Sequence, residues 1–183
     1  MKKLIVAFSL IASSVVGQQY KIHPMTKISV DRELSLQIFD NINEHRDSID
    51  RKAFEWSEEL YKQSKDHAFN LIQNAKWGHW GNSAGIDHTS EILNMIDLRF
   101  TNLENPNSYE IGAHCVKGWS ESDGHKGILE APIKTKEKQT AKIKWYNDIT
   151  LTAKLSTKIG VCVFHATSIT NGQEFIMVIC RSL

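Results

Sequence analysis

Apolar residues recur at helical spacing near the start of the chain. Between Leu34 and Ile42 they repeat every three to four positions, which predicts a helix that begins near Glu33 with Asp31 as its N-cap. The pattern fades over Ser48–Asp50, where this helix should end.

A longer second helix is predicted from Ala53 onward, because small and apolar residues form one stripe while charged residues lie elsewhere on the helical wheel. The small residues in this stripe would let another element approach closely. The stripe consists of Ala53, Ser57, Leu60, Ser64, Ala68 and Leu71. The stretch 76–88 that follows is rich in glycine and asparagine among aromatic residues, which predicts a loop of the kind that often carries functional sites.

A third helix is predicted to start after the segment 105–108. Pro106 ends the preceding segment, and Ser108 can cap the new helix. The helix should stop close to Asp123 and Gly124. Its apolar face consists of Ile111, Cys115 and Trp119.

The second half of the chain changes from helical to strand-like patterns. Residues 142–155 alternate loosely, and Ile159–His165 and Glu174–Cys180 are β-branched runs whose connection contains the hairpin signal Asn171-Gly172. The lysine-rich link 134–144 is predicted to be a solvated loop or an edge strand. Helices followed by strands predict an α+β fold and not alternating βαβ units.

The first residues are predicted to lie outside the fold. Lys2 and Lys3 precede the apolar run Leu4–Val16, and small residues precede a cut near Gln18, a pattern typical of a secretory signal peptide at residues 1–17. The alternatives are a buried N-terminal helix and a membrane anchor. The run is shorter than the roughly 20 apolar residues that a transmembrane helix needs. We therefore expect an exported protein, secreted or periplasmic, without a transmembrane segment.

The length of the chain after this signal fits one folded unit. We expect an N-terminal extension at residues 18–32 and a single domain at residues 33–183. The chain has 22 Lys and Arg residues against 21 Asp and Glu residues, and loss of two lysines with the signal brings its net charge close to zero. This balance argues against nucleic-acid binding, and we expect a monomer.

The chain has three cysteines, Cys115, Cys162 and Cys180, so they cannot all pair with one another. Export would permit a disulfide, and Cys162 with Cys180, in neighbouring predicted strands, is the candidate pair. The geometry between adjacent strands is demanding, however. Two buried free thiols are the alternative.

Two histidines and a carboxylate carry most of the chemical content of the sequence. His79 lies in the predicted loop, Glu91 follows it, and His125 lies in the segment 119–126. These groups offer three of the four ligands that Zn²⁺ prefers and leave a position for water. Without a metal, the same groups could form a hydrogen-bonded polar cluster.

Other reactive residues have weaker support. Cys115 lies within a helix and lacks a glycine-rich oxyanion turn, and Ser122 lacks the Gly-x-Ser-x-Gly pattern. Asn43 and Arg46 are predicted to tie the first helix to a neighbouring loop. Five other histidines are predicted to be surface or packed residues. They are His45, His67, His88, His114 and His165.

Six segments of the chain form a further pattern. They are Asn43-Glu44-His45-Arg46, the helix with Leu60, Ser64 and Ala68, Trp77-Gly78-His79, Ser90-Glu91-Ile92, the segment 119–129 with Trp-x-x-Ser-x-x-His-x-x-x-Leu, and Ile159-Gly160-Val161. Each motif alone is weak, but their order and spacing are specific. Together they resemble the CAP superfamily of cysteine-rich secretory, antigen 5 and pathogenesis-related group 1 proteins, in particular its bacterial SCP-like branch.

This resemblance implies a three-layer α-β-α sandwich with a central, mostly antiparallel sheet. It also implies a cleft lined by His79, Glu91 and His125. Ser122 stands where many eukaryotic relatives have a second glutamate, and Glu121 is the nearest carboxylate. Neighbouring helical residues point about 100° apart, which leaves open whether Glu121 turns into the cleft.

The function that the resemblance implies is binding of a small ligand, a lipid, a metal ion or a cell-envelope component in this cleft, without turnover. One alternative is a zinc-assisted hydrolase acting on peptide, ester or glycan, in which His79 and His125 hold Zn²⁺ and Glu91 is a ligand or the base. A second alternative is an interaction module that acts through its surface.

Overall fold

The computed structural model describes most of the chain. The described residues are 20–21, 24–77, 90–97, 103, 105–132, 140–144, 150–154 and 157–182. The predicted signal peptide at residues 1–17 and most of the predicted loop 76–88 lie outside them. Within the described residues, no helix is both long and apolar enough to cross a membrane.

Helices and strands alternate irregularly along the chain. The helices are α1 (Arg32–Ser48), α2 (Glu58–Gln73), α3 (Ser108–Ser120) and α4 (Asp123–Leu129). The strands are β1 (Tyr20–Lys21), β2 (Met25–Asp31), β3 (Glu55–Trp56), β4 (Lys76–Trp77), β5 (Ser90–Ile96), β6 (Thr140–Lys144), β7 (Thr150–Lys154), β8 (Lys158–Ser168) and β9 (Glu174–Ser182).

A mostly antiparallel sheet of five strands forms the centre of the fold. Its strand order is β2-β8-β9-β5, and β3 pairs with β8 in parallel. Alternate residues of β8 face opposite layers: Val161 and Val163 pack with α1 and α3, whereas Cys162 and Phe164 pack with α2. Helices therefore cover both faces of the sheet, and the predicted α+β, three-layer architecture is confirmed.

Helix α1 agrees with its sequence pattern. Its N-cap is Asp31, whose side chain accepts a hydrogen bond of 2.8 Å from the backbone N–H of Leu34. Ile38 and Ile42 are fully buried in the core between α1 and the sheet. The predicted N-cap and apolar face are therefore confirmed.

Helix α2 begins later than predicted, at Glu58 instead of Ala53. The residues before it pair with β8 as the short strand β3, and the hydroxyl of Ser57 caps the helix. The helix then lies very close to β8. A Cβ atom added to Gly160 would be 2.1 Å from the backbone nitrogen of Tyr61, and the Ser64 hydroxyl donates a hydrogen bond of 3.2 Å to the carbonyl of Gly160. The predicted close approach along the small residues is confirmed.

Helix α4 was not predicted and begins at Asp123, where the third helix was expected to end; the third predicted helix corresponds to α3. Its N-cap is Asn107 and not Ser108, because the Asn107 side chain accepts from the N–H of Glu110 while the Glu110 carboxylate accepts from the N–H of Asn107. Helix α3 ends at Ser120, and α4 follows with Ser122 as its N-cap.

The predicted hairpin is present as β8 and β9, with Gly172 at a φ of 69° in the turn. Besides the two-residue strands β1, β3 and β4, the longer strands β2 and β5 were not predicted. Strand β2 lies within the segment 18–32 that we expected to be an extension, and pairs with β8. Strands β6 and β7 form a separate antiparallel pair, and residues 134–139 of the lysine-rich link lie outside the described residues.

The structure has three buried free thiols, so the candidate disulfide between Cys162 and Cys180 is not formed. In the pairing of β8 with β9, Cys162 lies opposite Ile179 and Cys180 lies opposite Val161. The two cysteines therefore face opposite sides of the sheet. Burial raises the pKa of the Cys162 thiol to about 12 and also raises that of Cys180.

Candidate functional site

The structure describes four of the five predicted cleft residues. Glu91 lies on β5, Glu121 and Ser122 lie between α3 and α4, and His125 lies on α4. The fifth residue, His79, lies outside the described residues.

Glu91 belongs to a buried polar cluster with Arg181 and His67. The Nε atom of Arg181 donates a hydrogen bond of 2.7 Å to Oε2 of Glu91. The Nε2 atom of His67 lies 3.6 Å from the other carboxylate oxygen, Oε1. The exposed fractions of the side chains are 6% for Glu91, 1% for Arg181 and 2% for His67.

Strand register and helix phase together build this cluster. Glu91 lies directly opposite Arg181 in the antiparallel pair of β5 and β9, so both side chains lie on the same face of the sheet. That face is covered by α2, where Gln63 and His67 are four residues apart and therefore share one side of the helix. The Nη1 atom of Arg181 donates to the backbone carbonyl of Gln63 at 3.5 Å.

Such a cluster couples three elements strongly. Removing one partner of a buried ion pair costs about 3–5 kcal/mol, because the other charge is left without compensation. His67 was predicted only to be a surface or packed residue, and no role was predicted for Arg181. One signal was available: Arg181 continues the alternation of Met177 and Ile179, which are fully buried, so an arginine at this position requires a buried partner.

The residues between α3 and α4 differ in their surroundings. Glu121 is the C-cap of α3 and is exposed. The Ser122 hydroxyl is shielded from solvent, makes no capping hydrogen bond, and has no hydrogen-bond partner within the described part of the chain. His125 is half-buried on α4, which lies against β5 and β6. Helix α4 contacts strand β5, but Leu129 of α4 packs in the core cluster of α1 and α3, whereas Glu91 lies on the face of the sheet that α2 covers.

Arg46 holds the C-terminal end of α4 in place. Its guanidinium donates hydrogen bonds to three backbone carbonyls, those of Lys52 at 2.9 Å, Leu129 at 2.6 Å and Ala131 at 3.0 Å. It also stacks 3.8 Å from the ring centre of Phe54. Burial, with a smaller contribution from the positive charge of Arg51, lowers the pKa of Arg46 to about 10, which leaves the side chain charged at neutral pH.

Two further contacts join α1 to the segment before β3 and to the end of α4. The amide of Asn43 donates to the carbonyl of Phe54 and accepts from its N–H, and His45 Nε2 lies 3.1 Å from a carboxylate oxygen of Glu130. The prediction that Asn43 and Arg46 tie the first helix to neighbouring loops is therefore confirmed.

The described residues do not fit a metal centre. Among them, no group of three or more His, Cys, Asp or Glu side chains is arranged to hold a metal ion. Glu91 is the carboxylate that the Zn²⁺ hypothesis requires, and one of its oxygens already accepts a hydrogen bond from a guanidinium. A positive charge at this position opposes the binding of a divalent cation.

Comparison with known proteins gives a family and one similar structure. The model of the CAP family, described as the cysteine-rich secretory protein family, matches residues 39–173. The chain is similar to an outer surface protein from Borrelia burgdorferi, with 17% identity, a TM-score of 0.48, and coverage of 87% of this chain and 98% of that chain. The search of curated proteins gives no match. The family match spans well over half of the sequence, and the chain therefore belongs to the CAP family of cysteine-rich secretory proteins.

Proposed function

We propose that this protein is an exported CAP-domain protein whose cleft, lined by His79, Glu91 and His125, binds a small ligand, a lipid or a cell-envelope component without turning it over. The observation that carries the proposal is the pairing of Glu91 with Arg181. This pairing favours a binding role over metal-assisted hydrolysis.

A zinc-assisted hydrolase would need a carboxylate that can coordinate Zn²⁺ or accept a proton from the attacking water. In this protein, Oε2 of Glu91 is hydrogen-bonded to Arg181, and Oε1 faces the ring of His67. The carboxylate is thus already engaged by protein groups. It can shape and polarise a cleft, but it is poorly suited to take part in a reaction.

Polar groups near α4 support ligand binding. A hydroxyl that is shielded from water without a partner costs free energy, on the order of 1–3 kcal/mol, unless something satisfies it. The Ser122 hydroxyl is in this position within the described residues, three residues before His125. Because this oxygen is buried, a ligand would recover that cost only by displacing the residues that cover it. Glu121, which is exposed on the same turn, would lie at the rim.

The proposed export rests on the sequence of the first residues. Two lysines followed by a short apolar run are typical of a signal peptide. Mass spectrometry of the protein from its native host should find a mature chain that begins near Gln18. An intact N-terminus in the cell interior would contradict export.

The binding proposal can be tested with a defined panel of probes. Phosphatidylglycerol, cholesterol and an N-acetylglucosamine oligomer would each be titrated into the purified mature protein by calorimetry. We expect one-to-one binding of at least one probe, weakened tenfold or more by His79→Ala and by His125→Ala. His114→Ala is the matched control, because His114 is exposed on α3, and it should bind like the wild type.

Other outcomes would identify the alternatives. If Zn²⁺-dependent turnover of a peptide or ester is lost in the same two variants, the protein is a hydrolase. If envelope components are captured equally well by the wild type and both variants, the protein acts through its surface and the proposed cleft is wrong.

A further inference from the structure

We infer that Arg181 withholds the Glu91 carboxylate from divalent cations and so determines that this CAP site selects non-metal ligands. This inference deepens the proposed function and rests on it. It concerns one residue on β9 that no sequence motif singled out. Its basis is the geometry of the contacts around Glu91.

The first basis is that both carboxylate oxygens of Glu91 already have protein neighbours. The Nε–H group of Arg181 points at Oε2 of Glu91 over 2.7 Å, which is the short distance expected for a charge-assisted bond. Oε1 lies 3.6 Å from Nε2 of His67. A metal ion would have to displace one of these neighbours to reach a carboxylate oxygen at about 2.0–2.2 Å, the usual Zn–O distance.

The second basis is charge. The guanidinium of Arg181 is buried with Glu91, where screening by water is weak. It neutralises the negative charge that would attract a cation and repels any cation that approaches. Replacement of Glu91 by a neutral residue should therefore change metal affinity little, whereas removal of the positive charge should change it greatly.

The third basis is the rigid setting of Arg181. It pairs with Glu91 on one side and with Gly160 on the other. The absence of a side chain at Gly160 lets the backbone of α2 approach the sheet, and the carbonyl of Gln63 on α2 accepts from Nη1 of Arg181. Backbone pairing with both neighbouring strands fixes the position of Arg181, and the hydrogen bond to Gln63 helps to hold its guanidinium against Glu91. Arg181 is therefore a specificity-determining residue.

Calorimetric titration with Zn²⁺ tests the inference. Arg181→Gln should bind Zn²⁺ at least about tenfold more tightly than the wild type, the range seen when groups around metal ligands are changed. The double variant Arg181→Gln with Glu91→Gln should lose this gain. Arg32→Gln is the matched control, because Arg32 forms an ion pair of the same length with Glu58 at an exposed position; it should show no gain.

A second measurement is needed because Arg181→Gln leaves a buried carboxylate unpaired and could unfold the protein, which circular dichroism would reveal. Glu91→Gln keeps the shape and an acceptor oxygen for Arg181, and its folding is checked in the same way because it leaves the buried guanidinium without a counter-charge. In this variant Zn²⁺ affinity should not rise, because the positive charge that repels cations is still present. A gain like that expected for Arg181→Gln would show that breaking the ion pair, and not removing the positive charge, admits the metal, and would overturn the inference.

The inference would also be overturned if folded Arg181→Gln gained no Zn²⁺ affinity, or if the gain survived in the double variant. The test of the proposed function is a separate experiment, which uses lipid, sterol and glycan probes on the histidine variants. The cleft could therefore bind its ligand as proposed while Arg181 proved unimportant, and the two failures would be distinguished.

Discussion

Replacement of Arg46 by methionine should strongly destabilise the protein, because it releases α4 from α1. The guanidinium donates to the carbonyls of Lys52, Leu129 and Ala131 and is fully buried. Each hydrogen bond to a charged group contributes about 1.5–3 kcal/mol. Methionine keeps most of the apolar volume, and the desolvation cost of the charge is recovered, which offsets part of this sum.

The expected net loss in the free energy of unfolding is about 3–5 kcal/mol. Domains of this size have a total stability of about 5–15 kcal/mol, so the variant should unfold at a markedly lower urea concentration. Urea unfolding, followed by tryptophan fluorescence and by far-ultraviolet circular dichroism, measures the loss. The buried Trp119 on α3 makes the fluorescence sensitive to packing near α4.

Arg51→Met is the matched control for this experiment. Arg51 is exposed and donates one hydrogen bond, of 3.1 Å, to the carbonyl of Glu130. Its replacement should cost less than about 1 kcal/mol, as is usual for exposed polar contacts. If Arg46→Met cost no more than Arg51→Met, the argument that Arg46 anchors α4 would be refuted.

Three further changes test packing, titration and capping. Gly160→Ala should destabilise the protein by about 1–3 kcal/mol, because the added methyl group meets the backbone of α2. Gly118→Ala, which has open space around the added methyl group, should instead stabilise α3 by about 0.5–1 kcal/mol. Urea unfolding measures both changes, and equal effects would contradict the close approach of α2 to β8. Burial raises the pKa of the Cys162 thiol from 9.0 to about 12, so the folded state keeps a proton that the unfolded chain loses, and stability should fall by roughly 1 kcal/mol between about pH 9 and 10. Cys162→Ala should remove this loss of stability between about pH 9 and 10. If the variant showed the same dependence of stability on pH as the wild type, the argument from the Cys162 thiol would be wrong. Asn107→Ala should cost about 1 kcal/mol in thermal or urea unfolding, because the capping box with Glu110 is lost; a neutral effect would contradict the cap.

Local pattern predicted some elements well and misplaced others. The N-cap and buried face of α1, the apolar face of α3 and the hairpin of β8 with β9 are as predicted, because each depends on residues close together in the chain. The start of α2 was misplaced since Glu55–Trp56 pairs with β8, a contact that a helical wheel cannot represent. Strand β5 was missed because its buried carboxylate breaks the apolar alternation expected of a strand.

For the candidate site, too, local features were predicted and long-range contacts were not. The order of its motifs indicated the family and the segments that carry Glu91 and His125, and helix α4 contacts β5. The neighbours of Glu91 were not predicted. Arg181 is 90 residues away in the chain, and its contact depends on the register of β5 with β9.

The sequence by itself determined the helical periods, the hairpin, the absence of strong net charge and the membership of a family, since each follows from residue types and spacing. Only the tertiary structure decided that Cys162 and Cys180 face opposite layers, that Arg46 closes the end of α4, and that Arg181 engages Glu91. The physical reason is that periodicity records which face of a segment is apolar. Strand register and helix packing decide which buried polar group meets which partner.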